Sequence, residues 1–383
     1  MTTHVFIVDI NTFKYHLEYL FAGTGAQDLY IDFNNNSNSS LNYAIENNLV
    51  SMISDSQRIR KGDYIIFYLQ QNRAKKVYEG KFYGIFKAKD NHSFLDNNDK
   101  NQFLKQQLNK SLTFRTMIEP YKVYPIGVTE WEALDEIKYI QSPNQMLWSL
   151  IYRKLRANRG NTMITIYESE RLIKLIKDKN NSKTLNCNNL TFDTDKQEII
   201  ADNSKYNYTG RKENINILPR LINKFSQGKS FEPHLQAYIV QNIGIKTLNN
   251  LDNLLVNNYD VEWIGNEVYC GVGMQKIDIM LSLIKEDERI IEPIELKSVC
   301  ATPDIIFQIQ RYIDWIEQYY IPNRISDIQP VIISKKISNK QSSNYAQLIN
   351  NLKNLNSKNN ILPLNYIEFD INNNNINFQQ IIY

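Results

Sequence analysis

Lys276-Ile-Asp-Ile-Met280 and Ile290-Ile-Glu-Pro-Ile-Glu-Leu-Lys297, separated by the polar turn Lys285-Glu-Asp-Glu-Arg289, read as two apolar strands joined in a hairpin. Asp278 interrupts the first strand. Glu295 and Lys297 sit at the C-terminal end of the second, and residues two apart on a strand face the same side, so both aim into one pocket. The 17-residue interval from Asp278 to Glu295 lets the hairpin bring the two carboxylates together. Phosphodiester hydrolysis uses such a set. The acids hold Mg²⁺, which activates a water and neutralises charge on the phosphate, and a nearby cation orients or deprotonates that water.

Outward from the hairpin, the periodicity predicts a helical stretch through Glu232 to Val240 and strands at Val261 to Trp263, Lys276 to Leu283 and Ile290 to Leu296. A helix at Ile305 to Tyr320 and a strand at Pro330 to Ser334 follow. The second helix carries Gln308-Ile-Gln-Arg-Tyr312. Over roughly residues 216 to 335 this order of elements and motifs resembles the PD-(D/E)XK nuclease superfamily, in the branch with Gln-x-x-x-Tyr on the helix after the hairpin. The resemblance implies a restriction-endonuclease-like α/β core. It implies Asp278 and Glu295 as ligands of Mg²⁺, with Mn²⁺ as a substitute, and Lys297 as the residue positioning the attacking water. It also implies Glu232 as an auxiliary acid and Gln308 and Tyr312 as supports of the site or the phosphate. The first acidic motif reads Ile-Asp where the pattern has Pro-Asp. Taken alone, Glu295 and Lys297 also fit an exposed pair on an amphipathic strand. Glu292, out of phase with Glu295, and Asp304, in a Thr-Pro-Asp turn, are read as solvated.

The first 178 residues alternate strand-like pieces (His4 to Ile10, Asp63 to Tyr68, Phe82 to Ala88, Phe114 to Val123) with helical ones (Asn42 to Met52, Gln145 to Leu155, Tyr167 to Lys177). That pattern suits a small curved sheet or barrel flanked by helices. Lys61-Gly-Asp-Tyr-Ile-Ile-Phe-Tyr68, followed by Glu79-Gly-Lys-Phe-Tyr-Gly-Ile-Phe86, resembles the Gly-Asp-x-x-x-Phe-Tyr strand of EVE domains, which have a PUA-like fold. That resemblance covers about residues 1 to 178 and implies a reader whose relatives bind a modified or flipped-out base in an aromatic pocket. Such a pocket needs stacking faces and a few polar groups. Phe21, Tyr30, Trp131 and Trp148 are the aromatic candidates, and Thr24 and Gln27 the polar ones. Trp148 and Tyr152, one helical turn apart, read as core. Arg153, Arg156 and Arg159 form a basic run suited to phosphates or to the end of a helix.

The chain has 383 residues, 42% hydrophobic and 22% charged, which is enough for two domains with separate cores. The division expected is a mixed α/β and α+β protein with a reader at 1–178, an asparagine-rich linker at 179–214 with a possible hairpin, and a nuclease domain at 215–383. No 18-residue apolar run or signal-like N-terminus is present, so a cytoplasmic protein with no membrane partner is expected. Cys187, Cys270 and Cys300 lie far apart and read as reduced, buried residues. His4, His16, His92 and His234 show no metal-ligand spacing, and His234 reads as a helix-surface residue. A net charge of +3 points to no partner by itself.

Together these readings predict a restriction endonuclease on double-stranded DNA, dependent on base modification and acting as a homodimer because one active site cuts one strand. A conventional type II enzyme reading an unmodified sequence, a repair endonuclease and a non-catalytic nucleic-acid binder are the alternatives.

Overall fold

The computed structural model describes residues 1–25, 30–32, 43–147, 159–245, 250–271, 275–322, 326–372 and 374–383. It is a mixed α/β protein with a curled, half-barrel sheet and a second sheet flanked by helices. The chain folds as two compact units, one ending at Ile215 and the other running from Asn216 to Tyr383. Among the described residues no helix is long and apolar enough to cross a membrane.

The first unit is built on β1 (Thr3–Val8), β2 (Phe21–Thr24), β3 (Tyr64–Leu69), β4 (Lys81–Ala88), β5 (Phe94–Leu95), β6 (Phe114–Pro120), β7 (Val128–Thr129) and β8 (Asn161–Ile164). The order across the sheet is β2-β6-β4-β3-β1-β8, with β5 on β6 and β7 on β4. β1 runs parallel to β3, and the other pairs are antiparallel. The unbroken apolar run of β3 follows from burial on both faces. Ile65, Phe67 and Leu69 enter one core with Phe13 of α1 (Phe13–Glu18), while Ile66 and Tyr68 enter another. The long α2 (Tyr43–Gln57) precedes β3. A short α3 (Lys105–Leu108) and α4 (Glu130–Asp135) follow. α5 (Ile166–Lys179) opens with a capping box between Thr165 and Glu168 and supplies Leu172 and Ile176 to the second core.

Residues 179–214 are not a linker. β9 (Leu190–Asp193) and β10 (Glu198–Ala201) form the hairpin, and Leu190, Phe192 and Ile199 are buried in the core around Phe13. The Phe13 and Phe192 rings lie 4.6 Å apart. Beyond the hairpin, Arg211 binds both oxygens of Asp99, and the Tyr208 ring packs with Phe94 and Phe103. Asparagine-rich surface composition hid three apolar residues spaced to one side of a hairpin.

The second unit opens with α6 (Leu218–Ser226), α7 (Glu232–Asn242) and α8 (Leu251–Leu255). Its sheet comprises β11 (Asp260–Tyr269), β12 (Lys276–Lys285), β13 (Glu288–Lys297), β14 (Asp327–Ile328), β15 (Val331–Lys335), β16 (Asn365–Asn372) and β17 (Asn375–Ile381). Their order is β11-β12-β13-β15-β16-β17, with β14 on β13. β11 to β13 form the antiparallel meander, and β13, β15 and β16 run parallel. α9 (Ile305–Trp315) lays Ile305, Ile309, Tyr312 and Ile313 inward at helical spacing and continues as a π turn to Tyr320. α10 (Ser343–Lys358) connects β15 to β16. β16 and β17 are two strands the periodicity did not identify.

Candidate active site

β12 and β13 pair antiparallel, with Ile279 opposite Ile294. One rung further along, Asp278 and Glu295 occupy the same face, as the alternation requires. The ladder gives way there to a side chain: the Leu296 amide donates to Asp278 Oδ2 at 2.8 Å. Glu295 is almost completely buried, and both its oxygens are engaged. Lys297 Nζ pairs with Oε1, and the Tyr312 hydroxyl donates to Oε2 at 2.6 Å. α9 thus reaches the strand through Tyr312, whose hydroxyl also accepts from Gln308 Nε2 at 2.7 Å.

α7 supplies the other side. Glu232 occupies its first turn, and its Oε2 accepts from the Ser298 amide at 3.3 Å, just past Lys297. One turn along, buried Gln236 donates from Nε2 to the Asp278 carbonyl at 2.8 Å. The sequence reading missed Gln236. Its spacing of four from Glu232 on one helix was the available signal.

Burial and the Glu295 carboxylate push Asp278 well above the usual carboxylate range. Burial likewise raises Glu295, although Lys297 and Tyr312 pull the other way. Burial opposes the Lys297 ammonium, but Glu295, Glu232 and Asp278 outweigh it and raise its pKa, so Lys297 stays charged. Tyr312 is raised by burial and by Glu295, which keeps its proton available for donation. The arrangement is a buried pocket in which Asp278, Glu295 and Glu232 face one cation, Lys297, and like-charged carboxylates sharing a site resist joint ionisation.

Among the described residues no three His, Cys, Asp or Glu side chains converge closely enough to cage a metal by themselves. Mg²⁺ at phosphoryl sites is ordinarily held by one or two carboxylates, completed by waters and phosphate oxygens. Asp278 and Glu295 fit that donor set: both are hard oxygen ligands on one face, destabilised as a pair until a cation joins them.

Two acids read as solvated behave differently. Asp304 is exposed, whereas Glu292 is 2% exposed and its Oε2 has no hydrogen-bond partner. Glu292 pairs in register with Leu281, on the face of β13 away from Glu295, and burial raises its pKa well above the usual range. His234 is also buried, not at the helix surface. Cys270 is buried and Cys187 half-buried, but Cys300 is exposed, and all three are free.

In the first unit the described base-pocket candidates divide by burial. Phe21 is fully buried, beneath His16 at 4.7 Å and the Arg115 guanidinium at 5.0 Å, so it presents no surface to a base. Thr24 is buried on β2. Tyr30 and Trp131 are exposed, at 60% and 62%. Trp131 lies on α4 among Glu130, Glu132, Asp135 and Glu136, whose charge disfavours a phosphate backbone. Arg159 pairs with Asp55 at 3.4 Å. Gln27, Arg153, Arg156, Trp148 and Tyr152 lie outside the described residues, as does the helix expected to continue to Leu155.

No family model matches this chain, and no curated protein matches it.

Proposed function

We propose that the chain is a Mg²⁺-dependent DNA endonuclease of the PD-(D/E)XK kind, with the second unit as its catalytic core. The observation that carries this reading is the convergence of Asp278, Glu295 and Lys297 from adjacent strands, with Glu232 and Tyr312 reaching the same point from two helices. A structural ion pair needs only Glu295 and Lys297. It gives no reason to bury Asp278 beside them at a cost in charge repulsion.

In this mechanism Asp278 and Glu295 would hold the cation. When bound, Mg²⁺ acidifies a water and offsets charge developing on the scissile phosphate. Lys297, kept cationic by the surrounding acids, orients that water or a phosphate oxygen and does not take its proton. Tyr312 and Gln308 fix the Glu295 carboxylate, and Gln236 fixes the Asp278 backbone. Glu232 adds negative charge that favours both Lys297 and the metal.

The first unit, with its curled sheet, is proposed as a PUA-like DNA reader of the EVE kind. The experiment is cleavage of unmodified, methylated, hydroxymethylated and glucosylated DNAs with Mg²⁺ or Mn²⁺, with Asp278→Ala and Glu295→Ala alongside. Cutting confined to a modified DNA and lost in both variants supports a modification-dependent restriction enzyme. Site-specific cutting of plain DNA moves the assignment to a conventional one, and no cutting of any DNA removes the nuclease reading.

A further inference from the structure

Two tyrosines and two lysines form a platform on the first unit that takes no part in the chemistry proposed for the second. Tyr64 opens β3 and pairs in register with Lys87 of β4, and Tyr121 directly follows β6. The two rings lie 5.7 Å apart at 24°, in a stacked arrangement. Lys87 Nζ sits 4.0 Å from the centre of Tyr121 and 5.7 Å from that of Tyr64, and Lys122 Nζ lies 5.3 Å from Tyr121. Tyr121 is 44% exposed.

The platform is held by backbone. The Tyr121 and Lys122 amides donate to the Ile85 carbonyl at 3.2 and 3.0 Å, and the Lys122 carbonyl accepts from the Ile85 amide. The turn that presents Tyr121 is therefore anchored to Ile85 of β4. Glu119 is in register with Lys87, yet neither Lys87 nor Lys122 forms an ion pair among the described residues. The cations are held by ring faces instead of carboxylates, which leaves their charge available to an anion.

We propose that this platform binds an unpaired stretch of DNA, with its phosphates on Lys87 and Lys122 and a base stacked on Tyr121. Aromatic faces stack any unpaired base, and flexible ammonium groups follow the backbone. Duplex DNA offers its phosphates but not its base faces, so the rings select unpaired DNA. This assignment rests on the reading of the chain as a DNA-acting protein and adds the kind of DNA its first unit holds.

The test is fluorescence anisotropy of the full chain with a labelled oligothymidylate and a blunt duplex, in EDTA so that nothing is cut. Tyr121→Ala is expected to weaken oligothymidylate binding about 5- to 150-fold, the range for loss of one stacked base, and Tyr121→Phe to keep it. Duplex binding by Tyr121→Ala stays near that of wild type. The Lys87→Ala/Lys122→Ala double variant should flatten the salt dependence by a slope of about 1.4 for single-stranded DNA. Wild-type binding to the oligothymidylate by both Tyr121→Ala and the lysine double variant, or no binding by the wild type, overturns the proposal. Because binding is read without metal, a Tyr121 effect in a chain that never cuts DNA leaves the platform standing and removes the nuclease. Cutting by the wild type without any Tyr121 effect does the reverse.

Discussion

At the scale of single residues, the site depends on charges held where water is scarce. Tyr312→Phe removes the hydroxyl that bonds the Glu295 carboxylate, and with it the contacts to Gln308 and the Lys276 carbonyl, while keeping the ring that packs α9. A hydrogen bond to a charged group contributes roughly 1.5–3 kcal/mol. Cleavage by Tyr312→Phe is therefore expected to fall roughly 10- to 100-fold with its melting temperature little changed, and steady-state cutting beside a thermal melt checks both. Glu292 gives a different prediction. Its raised pKa means that the folded state keeps a proton the unfolded chain releases at about 4.5. The stability it allows is present below that value and is lost as pH rises toward the folded pKa. Glu292→Leu should raise stability by roughly 1–3 kcal/mol near neutral pH and remove that slope. Melts of both proteins from about pH 5 to about pH 8 measure it, and parallel curves would show that Glu292 is not the source. Strand alternation made Asp278, Glu295 and Lys297 legible in the sequence, because side-chain direction there needs only the count of residues. Glu292 and His234 were misread because burial on the far face depends on what packs there, which no local pattern records.

At the scale of elements, apolar patterning placed the pieces that lie on a core. The run at β3, the β12–β13 hairpin and α5 fall within a few residues of where periodicity sets them, since each buries enough apolar surface to dominate its local sequence, whereas β11 runs six residues past the strand read at Val261 to Trp263. β16 and β17 escaped because polar residues interrupt their apolar ones: Glu368 and Asp370 in β16, and Asn375, Asn377, Gln379 and Gln380 in β17. Residues 190–201 escaped as core because only Leu190, Phe192 and Ile199 are buried in a segment otherwise rich in Asp, Thr, Lys and Glu, although their strands were legible. Phe192→Ala tests this point. Loss of the ring packed on Phe13 and Tyr83 should cost about 3–5 kcal/mol, the usual range for a buried Phe, measured as a shift in the denaturant midpoint of the first unit. A hairpin lying free in a linker would show almost no shift.

At the scale of the molecule, two units with separate cores divide near residue 215. A fragment of residues 1–215 should unfold cooperatively, whereas 1–178 should not, because the shorter piece discards Leu190, Phe192 and Ile199 from the core around Phe13. Calorimetry of the two fragments decides it, and equal cooperative transitions would restore the linker. The central claim concerns what the second unit does. Its most direct test is a plasmid incubated with the purified full chain and Mg²⁺, in parallel with Asp278→Ala, Glu295→Ala and Lys297→Ala. The predicted result is strand scission by the wild type that EDTA stops and that each variant loses by roughly 10²–10³-fold or more, as when a charge-stabilising group is taken from an active site. Scission undiminished in Asp278→Ala and Glu295→Ala, or none by the wild type on any DNA, would contradict it.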